Sequence, residues 1–211
     1  MIPLILKIKR AQHKEIANAQ DLIVEELYTV FNDAVIHGGT AIWRCYKGNR
    51  FSEDIDVYIP RDIKRLDALF QKLEKRGFSI EKKKIGENSL FSNLKINRIF
   101  VRFEALFRNA DGILKEYETS DGNLLTVYTL PPEELIREKA SAYLKRLKIR
   151  DLYDIFFLLR HVTDKKAIKK ELNMLINGFR MPVDEKDLRI LLLEGLVPET
   201  KKMMEYIKTQ A

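Results

Sequence analysis

The segment IHGGTAIWRCYKGNRFSEDIDVYIP, residues 36–60, sets Gly38 and Gly39 ahead of Asp54 and Asp56, two carboxylates with one isoleucine between them. Side chains alternate along a strand, so Asp54 and Asp56 project from one face about 6.5–7 Å apart while Ile55 turns into the core. Two like charges on one face repel unless cations sit between them. Hard oxygen ligands of this kind suit Mg²⁺, which keeps waters and phosphate oxygens in its shell. Gly38 and Gly39 fall where a strand turns into a helix. Without side chains they let a phosphate approach the backbone, and the first N–H groups of the helix point at it. Thr40 adds a hydroxyl or caps that helix. A D-x-D pair or a Gly-Gly turn alone is common. In the order strand, Gly-Gly, helix, acidic strand, they place a phosphate cradle and metal ligands beside one nucleotide.

The periodicity supplies the elements that must position them. Ile16, Ala19, Ile23, Leu27, Val30 and Phe31 recur at helical steps, predicting a helix over 12–31 that feeds the short strand AVI. TAIWRCYKG is long enough for a short helix closed by Gly48, and DIDVYIP reads as a strand ended by Pro60. Asp62 is placed to cap a helix carrying Ile63, Leu66, Leu69, Phe70 and Leu73, which Gly77 stops. From residue 78 to 129 the chain alternates in short stretches (FSIEKKK, SLFSNLKI, RIFVRFEALF, GILKEYET, NLLTVYTL) split by Gly86, Asp111-Gly112 and Asp121-Gly122, the pattern of strands and hairpins. Beyond Pro131-Pro132 the texture is helical, with breaks near Gly178, Pro182 and Pro198. The expected fold is α/β (α+β), with a sheet-bearing domain over 1–130 and a helical region over 131–211.

Composition narrows the partners. Among 211 residues, 38 Lys+Arg against 31 Asp+Glu leave a formal charge of +7, which favours an anionic partner such as nucleotide or nucleic acid. Cys45 alone forms no internal disulfide, and His13, His37 and His161 are too dispersed for a structural zinc site. The N-terminal MIPLILKIKR is too short in apolar residues for a signal-peptide core, and no run is long enough to cross a membrane, so a soluble, cytoplasmic protein is expected.

A second constellation lies in REKASAYLKRLKIRDLYDIFFLL. Lys139 and Arg146, two helical turns apart, share a face, and the apolar surface of the following helix wraps most of its circumference. Asp151 and Asp154 on that helix are then desolvated and need partners, for which Lys139, Arg146 and Arg150 are the nearest candidates. The set is either a salt-bridge lock between two helices or a phosphate contact through Lys139. Trp43 and Tyr46 can stack on a base or pack in the core; His37 ends a buried strand, and nothing activates Cys45.

The order hGG followed by R-F-S-E-D-I-D resembles the nucleotidyltransferase superfamily that includes DNA polymerase β, and within it the AbiEii-type toxins of type IV toxin–antitoxin systems. The resemblance implies a mixed-sheet nucleotidyltransferase core with a helical C-terminal half. It assigns Gly38, Gly39 and Thr40 to the triphosphate, Asp54 and Asp56 to two Mg²⁺ ions, and Arg50 and Ser52 to the lead-in before the metal pair. The glycine-to-Arg50 separation is slightly long, which implies a longer turn around Lys47-Gly48-Asn49. A third carboxylate on a neighbouring strand, serving as metal ligand or base, is expected; in RIFVRFEALFR, Glu104 stands on the polar face with Arg102 and Arg108 and is either that carboxylate or an exposed residue between two arginines. K-A-S-A-Y-L-K-R-L-K-I-R-D-L-Y-D matches the family's Lys followed by Arg-Asp-x-x-Asp, which implies functional roles for Lys139 and Asp154. The implied reaction moves a nucleoside monophosphate from an NTP (ATP, GTP or CTP) to a hydroxyl, by resemblance a tRNA 3′ end, in a toxin restrained by an antitoxin. AbiEii-type toxins are often longer than this chain, which leaves open transfer to a protein side chain or a small molecule. A catalytically silent nucleotide-binding module is the remaining class, although a pure anion binder gains nothing from Asp54 and Asp56.

Overall fold

Helices α1 (Leu4–Lys7) and α2 (Ala11–Val30) open the part of the chain that the computed structural model describes, residues 4–211. Met1–Pro3 of the N-terminal stretch lie outside the described residues. Helix α2 buries Ile16, Ala19, Ile23, Val24 and Leu27 on one stripe, as its periodicity requires. Strand β1 (Val35–His37), helix α3 (Gly38–Cys45), strand β2 (Ile55–Ile59) and helix α4 (Ile63–Lys75) follow. Asp62 caps α4, its Oδ1 accepting from the Arg65 N–H at 3.1 Å. Five strands complete the array: β3 (Ser79–Ile85), β4 (Ser89–Ile96), β5 (Ile99–Phe107), β6 (Ile113–Glu118) and β7 (Leu124–Thr129).

The seven strands form one mixed sheet in the order β3-β4-β5-β2-β1-β7-β6. Strand β2 runs parallel to β5 and antiparallel to β1, and β1 runs parallel to β7. Along β5, Ile99, Val101, Phe103 and Ala105 are buried while Phe100, Arg102 and Leu106 are exposed. A fully buried side chain of the Phe103 type contributes about 1.5–3 kcal/mol, so this alternation fixes the strand's register and which face meets solvent.

Helix α3 departs from its expected bounds. Gly38 lies in its first turn rather than before it, at φ 70°, and the helix ends at Cys45, with the left-handed position falling on Lys47 at φ 57° rather than on Gly48. A buried cation fixes this helix. The Arg44 guanidinium, fully buried, donates to the carbonyls of Glu118 and Ala17 at 3.0 Å each and lies 3.2 Å from Asp21 Oδ1. Desolvating an arginine is costly unless its donors are met, so this network ties α3 to α2 and β6.

The described chain divides into two compact units, one reaching Lys47 and resuming over Phe51–Thr129, the other comprising Gly48–Arg50 and Leu130–Ala211. The second is helical: α5 (Pro132–Arg146), α6 (Ile149–Leu158), α7 (Lys169–Asn177), α8 (Leu188–Leu191) and α9 (Thr200–Gln210). Pro132 starts α5 where its missing N–H costs nothing, Glu133 and Glu134 complement the first turn, and Leu147 ends it in the left-handed region. Helix α6 buries eight of its ten residues, including Asp151 and Asp154. No described helix is long and apolar enough to cross a membrane.

Candidate functional site

In the sheet unit the acidic residues meet in one row. His37 on β1 pairs in register with Asp56 on β2, and Asp56 pairs with Glu104 on β5. Asp54 immediately precedes β2. The buried Thr40 hydroxyl donates to the Asp54 carbonyl, so the first turn of α3 holds the acidic segment in place. Gly38 touches the same cluster: a Cβ there would overlap Asp56 Oδ2. The glycine is required both by its positive φ and by the carboxylate against it.

The resident cation of this row is Arg102. Its Nε donates to Asp54 Oδ1 at 2.9 Å and its Nη2 to Oδ2 at 2.6 Å, a bidentate pair, and Nε lies 3.4 Å from Glu104 Oε1. Burial, followed by the charge of Asp56, pushes the Glu104 carboxyl above the usual carboxylate range, against the opposing pull of Arg102. Glu104 therefore takes up a proton more readily than an ordinary glutamate.

Among the described residues no group of three or more His, Cys, Asp or Glu is gathered closely enough to enclose a metal ion. Mg²⁺ does not need such a cage, since it takes one or two protein carboxylates and completes its shell with water and phosphate oxygens. Two facts fit the Asp54–Asp56 pair to that role. The Asp56 carboxylate lies in space that a Cβ at position 38 would fill, and burial together with the charge of Asp56 raises Glu104.

In the helical unit the second constellation is an ion network. Arg50 donates from Nε to Asp154 Oδ1 and from Nη2 to Oδ2, both at 2.8 Å, and Lys139 Nζ lies 2.8 Å from Asp154 Oδ2 and 3.8 Å from Asp151 Oδ1. Arg146 holds Asp151 by a second bidentate pair at 2.7 and 2.8 Å. Burial of the Asp154 carboxyl opposes its ionisation, but the Arg50 guanidinium and then the Lys139 ammonium outweigh this and hold it below the ordinary range. The arginine on Asp154 is thus Arg50, not Arg146 or Arg150. Sequence reasoning put Arg50 in the lead-in to the metal pair and did not foresee this partner.

Of the other candidates, Ser52 is buried and its carbonyl accepts from Gln20 Nε2 at 2.9 Å. Trp43 and Tyr46 are buried, and the Arg44 guanidinium lies 4.0 Å from the Trp43 ring centroid, so both aromatics pack. His37 stacks on Tyr58 at 3.9 Å. Burial pushes the Cys45 thiol up to about 12, which suppresses the thiolate. Sequence reasoning missed Arg44, and it placed Arg102 beside Glu104 without its hold on Asp54. Arg102 carried a signal, since it stands two residues from Glu104 on the same strand face.

A mixed sheet that carries paired aspartates beside a glycine-led helix is the arrangement of a nucleotidyltransferase. The model of the family "Nucleotidyl transferase AbiEii toxin, Type IV TA system" matches residues 22–203, and the chain belongs to that family of nucleotidyltransferase toxins. No curated protein sequence matches the chain significantly. Among solved structures it is similar to JHP933 from Helicobacter pylori, with a TM-score of 0.66 and 18% identity over 95% of this chain and 90% of that one. It is also similar to MenT4, a nucleotidyltransferase toxin from Mycobacterium tuberculosis, with a TM-score of 0.65 and 19% identity over 95% and 84%. The antibiotic-resistance factor ANT(2'')-Ia follows at a TM-score of 0.50 and 14% identity over 74% and 88%. At these identities the likeness is one of fold.

Proposed function

We propose that the protein transfers a nucleoside monophosphate from an NTP to the 3′-hydroxyl of an RNA, a tRNA by family resemblance, and that Asp54 and Asp56 hold Mg²⁺ in doing so. The observation that carries the reading is the convergence of Asp54, Asp56 and Glu104 on one sheet face beside Gly38. Bound there, Mg²⁺ supplies Lewis-acid stabilisation of the attacking and leaving oxygens. Gly38 and Gly39 give the triphosphate access to the N–H groups of α3, and Thr40 acts through Asp54 rather than on the substrate. The acceptor oxygen forms a bond to the α-phosphorus as the bond to the departing pyrophosphate breaks. Glu104, one strand across from Asp56, takes the hydroxyl proton. In the helical unit, three cations (Arg50, Lys139, Arg146) meet two carboxylates, and the two arginines already hold both bidentately. Within this unit Lys139 is the cation that can exchange its carboxylates for a phosphate oxygen. The family's type IV system suggests a cognate antitoxin that restrains this activity.

The test is incubation with each α-labelled NTP, Mg²⁺ and either tRNA or a protein extract. Label is expected in RNA; label in protein alone would sink the acceptor assignment. Asp54→Asn with Asp56→Asn should lower transfer by on the order of a thousandfold while the fold survives, as expected where charge stabilisation is lost. Retained transfer in that double variant would remove the metal role. In Glu104→Gln the acid limb of the kcat/KM profile, expected above the pH of an ordinary glutamate, should disappear; an unchanged profile would exclude Glu104 as the base.

A further inference from the structure

The acidic row does not stop at Glu104. Across the next strand Glu104 pairs with Phe91 on β4, and Phe91 pairs with Lys84 on β3. The row therefore reads His37, Asp56, Glu104, Phe91, Lys84 over five strands. A second row runs beside it: Arg102, which holds Asp54, pairs with Asn93, and Asn93 with Lys82. One step further along, Phe100 pairs with Lys95. On this face Phe100 is 54% exposed and Leu106 43%, while Phe91 is half-buried and Lys82 and Lys84 are exposed.

We propose that this open face of β3, β4 and β5 is a platform for the single-stranded end of a nucleic-acid acceptor, with its terminal base on Phe91 and its backbone phosphates on Lys84 and Lys82. The proposal rests on the proposed function, in which the acceptor hydroxyl meets the acidic row that this face continues. Neighbouring strands lie about 4.8 Å apart, so Phe91 stands roughly one strand spacing from Glu104 and Lys84 roughly two. A 3′-terminal nucleotide carries hydroxyl, base and 5′-phosphate on one sugar, so all three positions lie within its reach. Rings and ammonium groups are already paired, with Lys82 Nζ 5.2 Å from the Phe91 centroid and Lys95 Nζ 5.6 Å from the Phe100 centroid. Aromatic faces that take bases beside cations that take phosphates are how proteins hold single strands without reading sequence.

Lysines also blunt the edge of a sheet, and β3 is an edge strand. Edge protection explains the lysines but not the aromatic and aliphatic side chains exposed beside them. The two sides of β3 also differ. Lys83, between Lys82 and Lys84, points the other way and is engaged with α4, 2.9 Å from Asp67 and 4.3 Å from the Phe70 ring. Lys95 is partly committed to Glu81 at 3.8 Å, which leaves Lys82 and Lys84 as the principal phosphate partners. A protein partner would use the rings but has no need of ammonium groups in register with them.

The experiment is fluorescence anisotropy with a short 5′-labelled oligoribonucleotide bearing a free 3′-hydroxyl, without NTP or metal, on the full chain. Lys82→Gln with Lys84→Gln should weaken binding about tenfold at low salt and flatten the log–log salt slope by about 1.4, two phosphates at 0.7 each. Phe91→Ala should weaken it at least about fivefold. Lys83→Gln, on the opposite face, should bind as wild type, and matched thermal midpoints exclude unfolding. Wild-type affinity in the double-lysine and Phe91 variants, or equal loss in Lys83→Gln, would overturn the platform. So would a wild type that does not bind the oligoribonucleotide; loss of a labelled protein acceptor in Phe91→Ala would then give the face to protein. Asp54→Asn with Asp56→Asn should keep RNA binding and lose transfer, so failure of the platform and failure of the transfer reading are read in separate assays.

Discussion

In the sheet unit, three carboxylates (Asp54, Asp56 and Glu104) are arranged around the guanidinium of Arg102, each of them half-buried. In the helical unit, three cations (Arg50, Lys139 and Arg146) meet two carboxylates that are almost wholly buried. The same kinds of side chain thus give opposite charge imbalances in different solvent environments. A half-exposed negative cluster is tolerable because water still screens it in part, and it remains able to bind a cation. A buried pair is held by geometry, and removing one partner leaves an unpaired charge away from water. The first cluster is organised to exchange its partners and the second to keep most of them.

The strongest way to break that comparison is to neutralise Asp154. Asp154→Asn leaves the buried Arg50 guanidinium without its bidentate carboxylate and should cost about 3–5 kcal/mol, read by urea unfolding at neutral pH. The pH dependence has a definite sign. Because the folded Asp154 carboxyl lies below its ordinary value of 3.8, its contribution is fully present above that value and is lost as pH falls through the folded pKa. The gap between wild type and Asp154→Asn should therefore narrow only on strong acidification. A gap that is small at pH 7, or constant down to acid, would mean that the helical cluster is no lock.

Gly38→Ala probes the sheet cluster through its backbone. The substitution forces a Cβ onto a residue at φ 70° and into the space of Asp56 Oδ2, so the carboxylate must move. A displacement near 1 Å at a reacting centre costs about a hundredfold, which is the expected loss of transfer. Stability should fall only by the left-handed penalty of about 1–2 kcal/mol. Near-normal transfer with a lowered melting point would show that Gly38 serves the fold and not the site.

The two clusters also differ in how far the sequence revealed them. The acidic residues stand within one continuous stretch and one strand face, and period-two alternation in RIFVRFEALFR correctly separates Glu104 and Arg102 from buried Val101 and Phe103. The strand and helix positions were legible for the same reason, since each carries its own periodicity and turn residues. The Arg50–Asp154 pair spans 104 residues, and no local pattern links partners so distant. Arg44 was hidden differently: a cation inside the apolar run AIWRCY is at odds with local pattern, and only distant partners, the carbonyls of Ala17 and Glu118 and the carboxylate of Asp21, account for it. The order of strands, which brings Phe91 and Lys84 into line with Glu104, is likewise a property of long-range pairing.

The finest test of the comparison is Arg102→Gln. If the sheet cluster exchanges partners, the guanidinium is a competitor that must leave Asp54 before a divalent ion binds there. Removing it should raise the affinity of the protein alone for Mn²⁺, followed by electron paramagnetic resonance, by up to about fivefold, the range of an exposed ion pair. Because Arg102 opposes the rise of the Glu104 pKa, the acid limb of the transfer profile should move further upward in the same variant. A purely structural arginine moves neither readout in that direction, since loosening the row would weaken Mn²⁺ binding. The matching change in the helical unit, Arg146→Gln, strips a bidentate partner from buried Asp151 and should lower stability without altering Mn²⁺ affinity. Equal behaviour of the two arginine variants would remove the distinction between an exchanging cluster and a locked one.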